Sequence, residues 1–196
     1  MVANQFVSKY DPKLVQQAVD RLFALLRMDE KIDPSWRVCI KPNLLMKRRP
    51  EEGTTTHPAV VRAVIRHLQA LGVENITIAD SPGGVYTKAA LTGIYQASGM
   101  EEVAKETGAA LNFDLGTTHC PQPEGVMCRA FDLINPVAQA DFVISIAKLK
   151  SHCMTGLSGG VKNLFGCIPG LTKPEFHWRF PNENDFADML LDLCGT

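Results

Sequence analysis

Apolar positions along the chain switch between two periods, and that switching predicts the order of elements. Leu14, Ala18, Leu22, Leu25 and Leu26 recur at helical spacing behind Asp11-Pro12, a capping carboxylate followed by proline, which predicts a helix over 12–28. Asp33-Pro34 breaks the chain, and Arg37-Val-Cys-Ile-Lys41 reads as a short strand that Pro42 ends. Val60, Val61, Val64, Ile65, Leu68 and Leu71 return to the helical period. That helix opens at Thr54-Thr-Thr-His57-Pro58, with a hydroxyl or His57 as its cap, and closes at Gly72. Asn75-Ile-Thr-Ile-Ala-Asp80 is a second strand, ending in Ser81-Pro-Gly-Gly84. Strand, helix, glycine, strand and glycine-rich loop in this order predict a βαβ unit with a parallel sheet.

The second half is less regular. Residues 87–107 predict one or two short helices stopped by Gly108, and Ala110-Leu-Asn-Phe-Asp114 a strand. Thr117–Gly125, with His119, Cys120 and two prolines, reads as a surface loop, and 125–133 as an antiparallel or edge strand interrupted by Arg129. A helical turn at 135–140 leads into Asp141-Phe-Val-Ile-Ser-Ile-Ala147, whose continuous apolar character suits a strand covered on both faces. Leu171–Pro181 reads as an aromatic-rich loop, and a last helix capped by Asn182 or Asn184 buries Phe186, Met189, Leu190 and Leu193. The fold class expected is α/β: a single domain over 1–196, with a mainly parallel sheet flanked by helices and a possible antiparallel edge strand. It is open to being the N-terminal part of a longer protein.

Composition narrows the function classes. With 45% hydrophobic and 21% charged residues and a net charge of −1, no global field draws the chain to nucleic acid or an anionic membrane. No apolar run approaches the roughly 20 residues of a membrane span. The first ten residues have neither the basic region nor the apolar core of a signal peptide, so the expected location is cytoplasmic. Six cysteines without a CxxC pair fit a reduced compartment, and Cys39 reads as a core residue. Cys153 and Cys167 flank the most polar stretch of the second half and are less easily assigned to packing.

Candidate chemistry concentrates in that stretch. Lys148-Leu-Lys-Ser-His-Cys153 runs into Gly159-Gly-Val-Lys-Asn-Leu-Phe-Gly166 directly after an apolar strand, where open α/β sheets bind ligands. Lys148, Lys150 and Lys162 are candidates to hold a small anion, helped by glycine amides and the start of a helix near Ser158. Asn163 is a candidate to orient the ligand. His152 is the candidate acid or base, because its free pKa lies near neutrality. Lys41 and Asn43, at the end of another predicted parallel strand, reach for the same rim, as do His57 and Asp80. Asp80 has a second reading as a turn cap, and Lys162 one as a Schiff-base lysine. A metal on His152, His177 and a cysteine is conceivable, but no ligand spacing recommends it, and no metal ligand is assigned. Neither GxGxxG nor a Walker A pattern occurs, so the cofactor is left open.

Lys41-Pro-Asn43, Thr55-Thr-His-Pro58, Asp80-Ser81, Lys148-Leu-Lys-Ser-His152 and Gly160-Val-Lys-Asn-Leu-Phe-Gly166 together resemble the domain of unknown function 362 family, over about residues 36–196. The resemblance implies an α/β domain often associated with a ferredoxin-type module carrying iron–sulfur clusters. Such a module needs closely spaced cysteines that this chain lacks, so a ferredoxin-type domain or electron-transfer partner is implied in place of a resident cluster. A fainter likeness is to the N-terminal domain of nickel-pincer lactate racemases. Three expectations result: a redox-linked enzyme domain binding a small anionic substrate or cofactor, a non-catalytic scaffold for an iron–sulfur partner, or a metal-dependent enzyme.

Overall fold

Four short parallel strands carry the architecture, in a computed structural model that describes residues 1–152 and 155–196. The chain opens with α1 (Pro12–Leu26), where Asp11 Oδ1 accepts the Lys13 and Leu14 amides at 3.0 and 3.2 Å. Val15, Ala18 and Val19 form its buried face, one step round from the predicted leucine stripe; Leu14 and Leu25 stay exposed. Next come β1 (Val38–Pro42), α2 (Pro58–Ala70) and β2 (Ile76–Ile78). The His57 ring nitrogen caps α2 by accepting the Ala59 amide, and Gly72 follows the helix in the left-handed region, at φ 91°. Then α3 (Lys88–Ala97) and α4 (Met100–Thr107) return the chain to β3 (Ala110–Leu111).

The surface loop expected over Thr117–Gly125 is corrected: its first part is a strand, β4 (Thr117–Pro121), which pairs antiparallel with β5 (Ala130–Ile134). Its prolines hid it, yet Pro121 sits at the last pair of the ladder, where a missing N–H costs least. The predicted strand at 125–133 therefore starts later. After α5 (Asn135–Ala138) comes β6 (Phe142–Ile146), then the hairpin β7 (Lys150–His152) and β8 (Gly156–Ser158). The chain ends through α6 (Gly160–Leu164), α7 (Lys173–Arg179) and α8 (Glu183–Cys194), the last capped by Asn182. The aromatic loop expected at 171–181 is thus mostly helix, with Pro174 in the first turn, where proline is tolerated.

The sheet order is β3-β2-β1-β6, all parallel. β1 is the covered strand, with all five residues buried. β6 is not: it lies at the sheet edge, half-buried with Ser145 exposed, so the expectation of cover on both faces fails. Arg37 fixes its register by a two-pronged pair with Asp141, both contacts at 2.9 Å.

Apolar side chains collect in two main clusters. One joins the sheet to α1–α4 through Ile40, Ile65, Leu68, Ile78, Leu91 and Met100, none above 0% exposed. Each such side chain contributes about 1.5–3 kcal/mol relative to leaving it in water. The other joins β5 to the C-terminal helices through Phe131, Phe165, Phe186 and Met189. Cys39, Ala79 and Ile134 lie in a small cluster of their own. Among the described residues, no helix is long and apolar enough to cross a membrane.

Candidate functional site

Strand order determines where a ligand can enter. β1 has β2 on one side and β6 on the other, so the chain winds away from β1 in both directions. At such a switch point the connections leaving the strand ends diverge and open a crevice. A cavity of about 300 Å³ lies there. Its walls are the ends of β1 and the connection after β6, the loop Ser81–Gly84, the β7–β8 hairpin, α6 and the start of α7.

At its floor is a buried ion pair. Lys41 is the residue of β1 before Pro42, 1% exposed, and its Nζ stands 2.5 Å from Asp80 Oδ1. The ammonium also donates to Pro42 O at 3.0 Å and Asn163 Oδ1 at 3.3 Å. Asp80 Oδ2 accepts the Leu44 amide at 2.9 Å. The Asn163 amide closes the knot by donating to Lys41 O at 3.2 Å and Ser145 Oγ at 2.9 Å. Four segments distant in sequence are tied by groups that cannot be left unpaired at this depth without a cost of several kcal/mol. Gly166 makes the approach possible: a Cβ there would overlap both the Asp80 carboxylate and the Lys41 ammonium.

Above the floor the walls are basic. Lys150 Nζ donates to Asn43 Oδ1 at 2.7 Å and to Thr54 O at 2.5 Å. Burial lowers its pKa, and Lys148 adds to that while Asp80 opposes it. Thr56 Oγ1 accepts the Asn43 amide at 2.8 Å and donates to Ile146 O at 2.6 Å, so the exits of β1 and β6 are held together. Lys162 Nζ lies over the Phe165 ring, 4.7 Å from its centroid. Lys173 is 9% exposed, and its ammonium donates to Ser81 O. Burial pushes its pKa down to about 8, with Lys41 and Lys162 acting in the same direction and Asp80 against it. Five lysines thus face one carboxylate, Asp80, around a single cavity.

Two histidines complete the lining. The pKa of His152 is lowered by burial, then by Lys162 and Lys150; its Nδ1 lies 3.4 Å from the Thr155 amide. His177 stacks on Phe186 at 4.6 Å, and burial, Lys162 and His152 lower its pKa too. Both rings are therefore held toward the neutral form. The thiols beneath are inert: burial pushes Cys39 up to about 12 and Cys167 up to about 11.

Of the residues expected at the site, Lys41, Asn43, Asp80, Lys148, Lys150, His152, Lys162 and Asn163 all line the cavity. Asp80 accepts from the Lys41 ammonium and the Leu44 amide. His57 is placed elsewhere, capping α2 and stacked on Tyr10 at 3.8 Å. The helix expected near Ser158 is only five residues long, so its dipole is too short to cradle an anion. Among the described residues, no group of three or more His, Cys, Asp or Glu is placed to hold a metal ion. Cys153 lies outside the described residues. Sequence reasoning missed Lys173 as a cleft residue, and named His177 only as a conceivable metal ligand, because their segment read as a loop. The signal available was the i, i+4 spacing of Lys173 and His177, which puts both on one face once the segment is helical.

A thylakoid-associated protein of Synechocystis sp. is 32% identical over 168 residues, which cover 85% of this chain and 50% of that protein. The chain thus spans half the length of this curated relative. No solved structure matches it. A family model described as a domain of unknown function (DUF362) matches residues 38–196, a span that includes every residue lining the cleft. The chain belongs to the DUF362 family.

Proposed function

We propose that the protein binds a small, multiply charged anion, a phosphate- or carboxylate-bearing substrate or cofactor, in the cleft above Lys41 and Asp80. One observation carries this: five lysines and one carboxylate share the lining of a 300 Å³ cavity in a chain whose net charge is −1. Such local excess charge is costly unless an anion offsets it, and low-dielectric walls strengthen the attraction. In this reading Lys148, Lys150 and Lys162 hold the anion, Asn43 and Asn163 orient it, and Lys41 with Asp80 forms the rigid floor. His152 moves protons, entering as a neutral imidazole.

Melting the protein at low ionic strength with phosphate, pyrophosphate, nucleotides and small dicarboxylates tests the reading, because a ligand of the native state raises the melting temperature. At least one of these anions is expected to raise it. Indifference to the whole set sinks the proposal. The His152 role has its own readout: an anion beside the ring raises its pKa, visible as a shifted imidazole titration by NMR.

The redox link and the iron–sulfur partner rest on the family resemblance. A scaffold reading is favoured by β6, an edge strand, and by two exposed apolar side chains that follow it in the chain, Leu149 at 71% and Leu157 on β8 at 57%. Cosedimentation with a reduced and an oxidised ferredoxin tests it, and the absence of any complex counts against it.

A further inference from the structure

The lysine that the anion-holding reading does not use is Lys173. It is the deepest of the cleft lysines after Lys41, at 9% exposure, and it lines the same cavity. Its placement is enforced by backbone. Gly170, three residues earlier, packs on the loop before it so closely that a Cβ would overlap the carbonyl oxygens of Pro82 and Gly84. That contact brings the first turn of α7 against Ser81, whose carbonyl receives the ammonium. Asp80 stands nearby but is already bonded to Lys41 and the Leu44 amide. Lys173 therefore has a neutral hydrogen-bond partner, an aromatic neighbour in Phe165 and two cationic neighbours in Lys41 and Lys162. Desolvation and neighbouring cations are the two environments that turn a lysine into an amine nucleophile at neutral pH.

We propose that Lys173 forms an imine with an anionic carbonyl compound, a 2-oxo acid or phosphorylated aldehyde, whose charged end is held by Lys148, Lys150 and Lys162. This deepens the anion-binding reading and rests on it. In the step, the neutral ε-amine attacks the carbonyl carbon, the C–N bond forms, and the carbonyl electrons move to oxygen. His152 carries one proton from nitrogen to that oxygen, giving the carbinolamine, and then delivers a second proton, taken up from solvent, so that the oxygen leaves as water while the nitrogen lone pair closes the protonated C=N bond. No oxidant or reductant is needed. The resulting cation faces a lining already rich in charge, which favours loss of a proton or of carbon dioxide from the adjacent carbon. A pKa of about 8 leaves roughly a hundredfold more neutral amine at pH 8 than an ordinary lysine has. Lys162, the Schiff-base candidate in the sequence, is instead only half-buried, while Lys173 is buried.

The test is to incubate the protein with 2-oxoglutarate and sodium cyanoborohydride and map the adducts by mass spectrometry. We expect one dominant reduced adduct, on Lys173, at about tenfold the yield of any other lysine. K173R, which keeps the charge but cannot form the imine, loses it; K150R keeps the site of attachment, at lower yield. Adducts spread evenly over surface lysines overturn the proposal, and so does an unchanged yield in K173R. If K173R does not fold, the wild-type adduct map decides alone. A melting-temperature shift with 2-hydroxyglutarate, which lacks the carbonyl, reports on anion binding separately. A shift without a Lys173 adduct overturns the imine and leaves the anion reading standing; neither shift nor adduct overturns both.

Discussion

Asp80 is the residue on which the cleft floor depends, because Lys41 has no water to turn to at 1% exposure. Replacing Asp80 with Asn leaves that ammonium buried beside a neutral amide, and the expected loss is roughly 3–5 kcal/mol in chemical denaturation. Removing both charges, as in K41M/D80L, is expected to cost less than the sum of the single changes, since neither variant charge is left stranded. A costly double variant that shows simple additivity contradicts the coupling. Gly166→Ala is predicted to lose about 1–3 kcal/mol by overpacking the same spot. Lys173 gives a pH signature of opposite sign from a paired lysine. Its folded pKa, about 8, lies below the ordinary 10.5, so its charge opposes folding. That penalty is fully present below pH 8 and is relieved as pH rises from 8 toward 10.5. K173M is therefore expected to be more stable than the wild type near pH 7, by on the order of 2 kcal/mol. The gap narrows by pH 10; urea denaturation at stepped pH measures it.

At the scale of elements, α8 is tied to the rest of the second cluster by one carboxylate. Asp192 accepts the amides of Val126, Met127 and Cys128 at 2.9, 2.6 and 2.9 Å. Burial works against the ionised form, but the three amides outweigh it and lower the pKa below 3.8. This contribution is present above the ordinary carboxylate pKa and is lost as pH falls through the folded one. D192A is expected to cost about 2–3 kcal/mol at pH 7 and to flatten the acid limb of the stability profile. An unchanged acid limb contradicts the assignment. No sequence pattern announces this tie, because the carboxylate and its three amides lie more than sixty residues apart. The same reason hid β4: a two-stranded ladder takes its hydrogen bonds from a partner, and its side chains alternate between exposed and half-buried without an apolar face. α7 was hidden differently, by Pro174 and aromatic residues that weaken helical propensity while packing supplies the stability. Helices α1, α2 and α8 were legible because apolar period and cap agree; Asp11, His57 and Asn182 all act as caps.

For the whole molecule, the parallel sheet was readable from the order of strands and helices, but the place of β6 was not. A continuous apolar run says a strand is largely dry on average, and cannot say whether it ends up central or at an edge. That position makes the site: with β6 beside β1 and away from β2, the two basic stretches, around Lys41 and Lys148–Lys162, converge on one crevice. Sequence placed most of the lining there because strand ends and lysines are both visible in it. It could not show which lysine is buried without a carboxylate of its own, since that depends on Gly170 meeting Pro82 and Gly84. The cavity also lies between the two main apolar clusters, with Lys41 and Asp80 on the sheet side and Phe165 on the other. A bound anion would bridge them, so ligand protection against thermal unfolding is expected to reach both α2 and α8 in hydrogen exchange.

The central claim, that the lysine-lined cleft binds a small multiply charged anion, is tested most directly by calorimetric titration. Phosphate, pyrophosphate and oxalate would be titrated at low ionic strength into the wild type and into K148Q/K150Q/K162Q. Binding of at least one anion by the wild type is predicted, weakened by about a hundredfold or more in the triple variant, since each charge-assisted contact is worth roughly 1.5–3 kcal/mol. No heat with any of the three, or equal affinity in the triple variant, would contradict it.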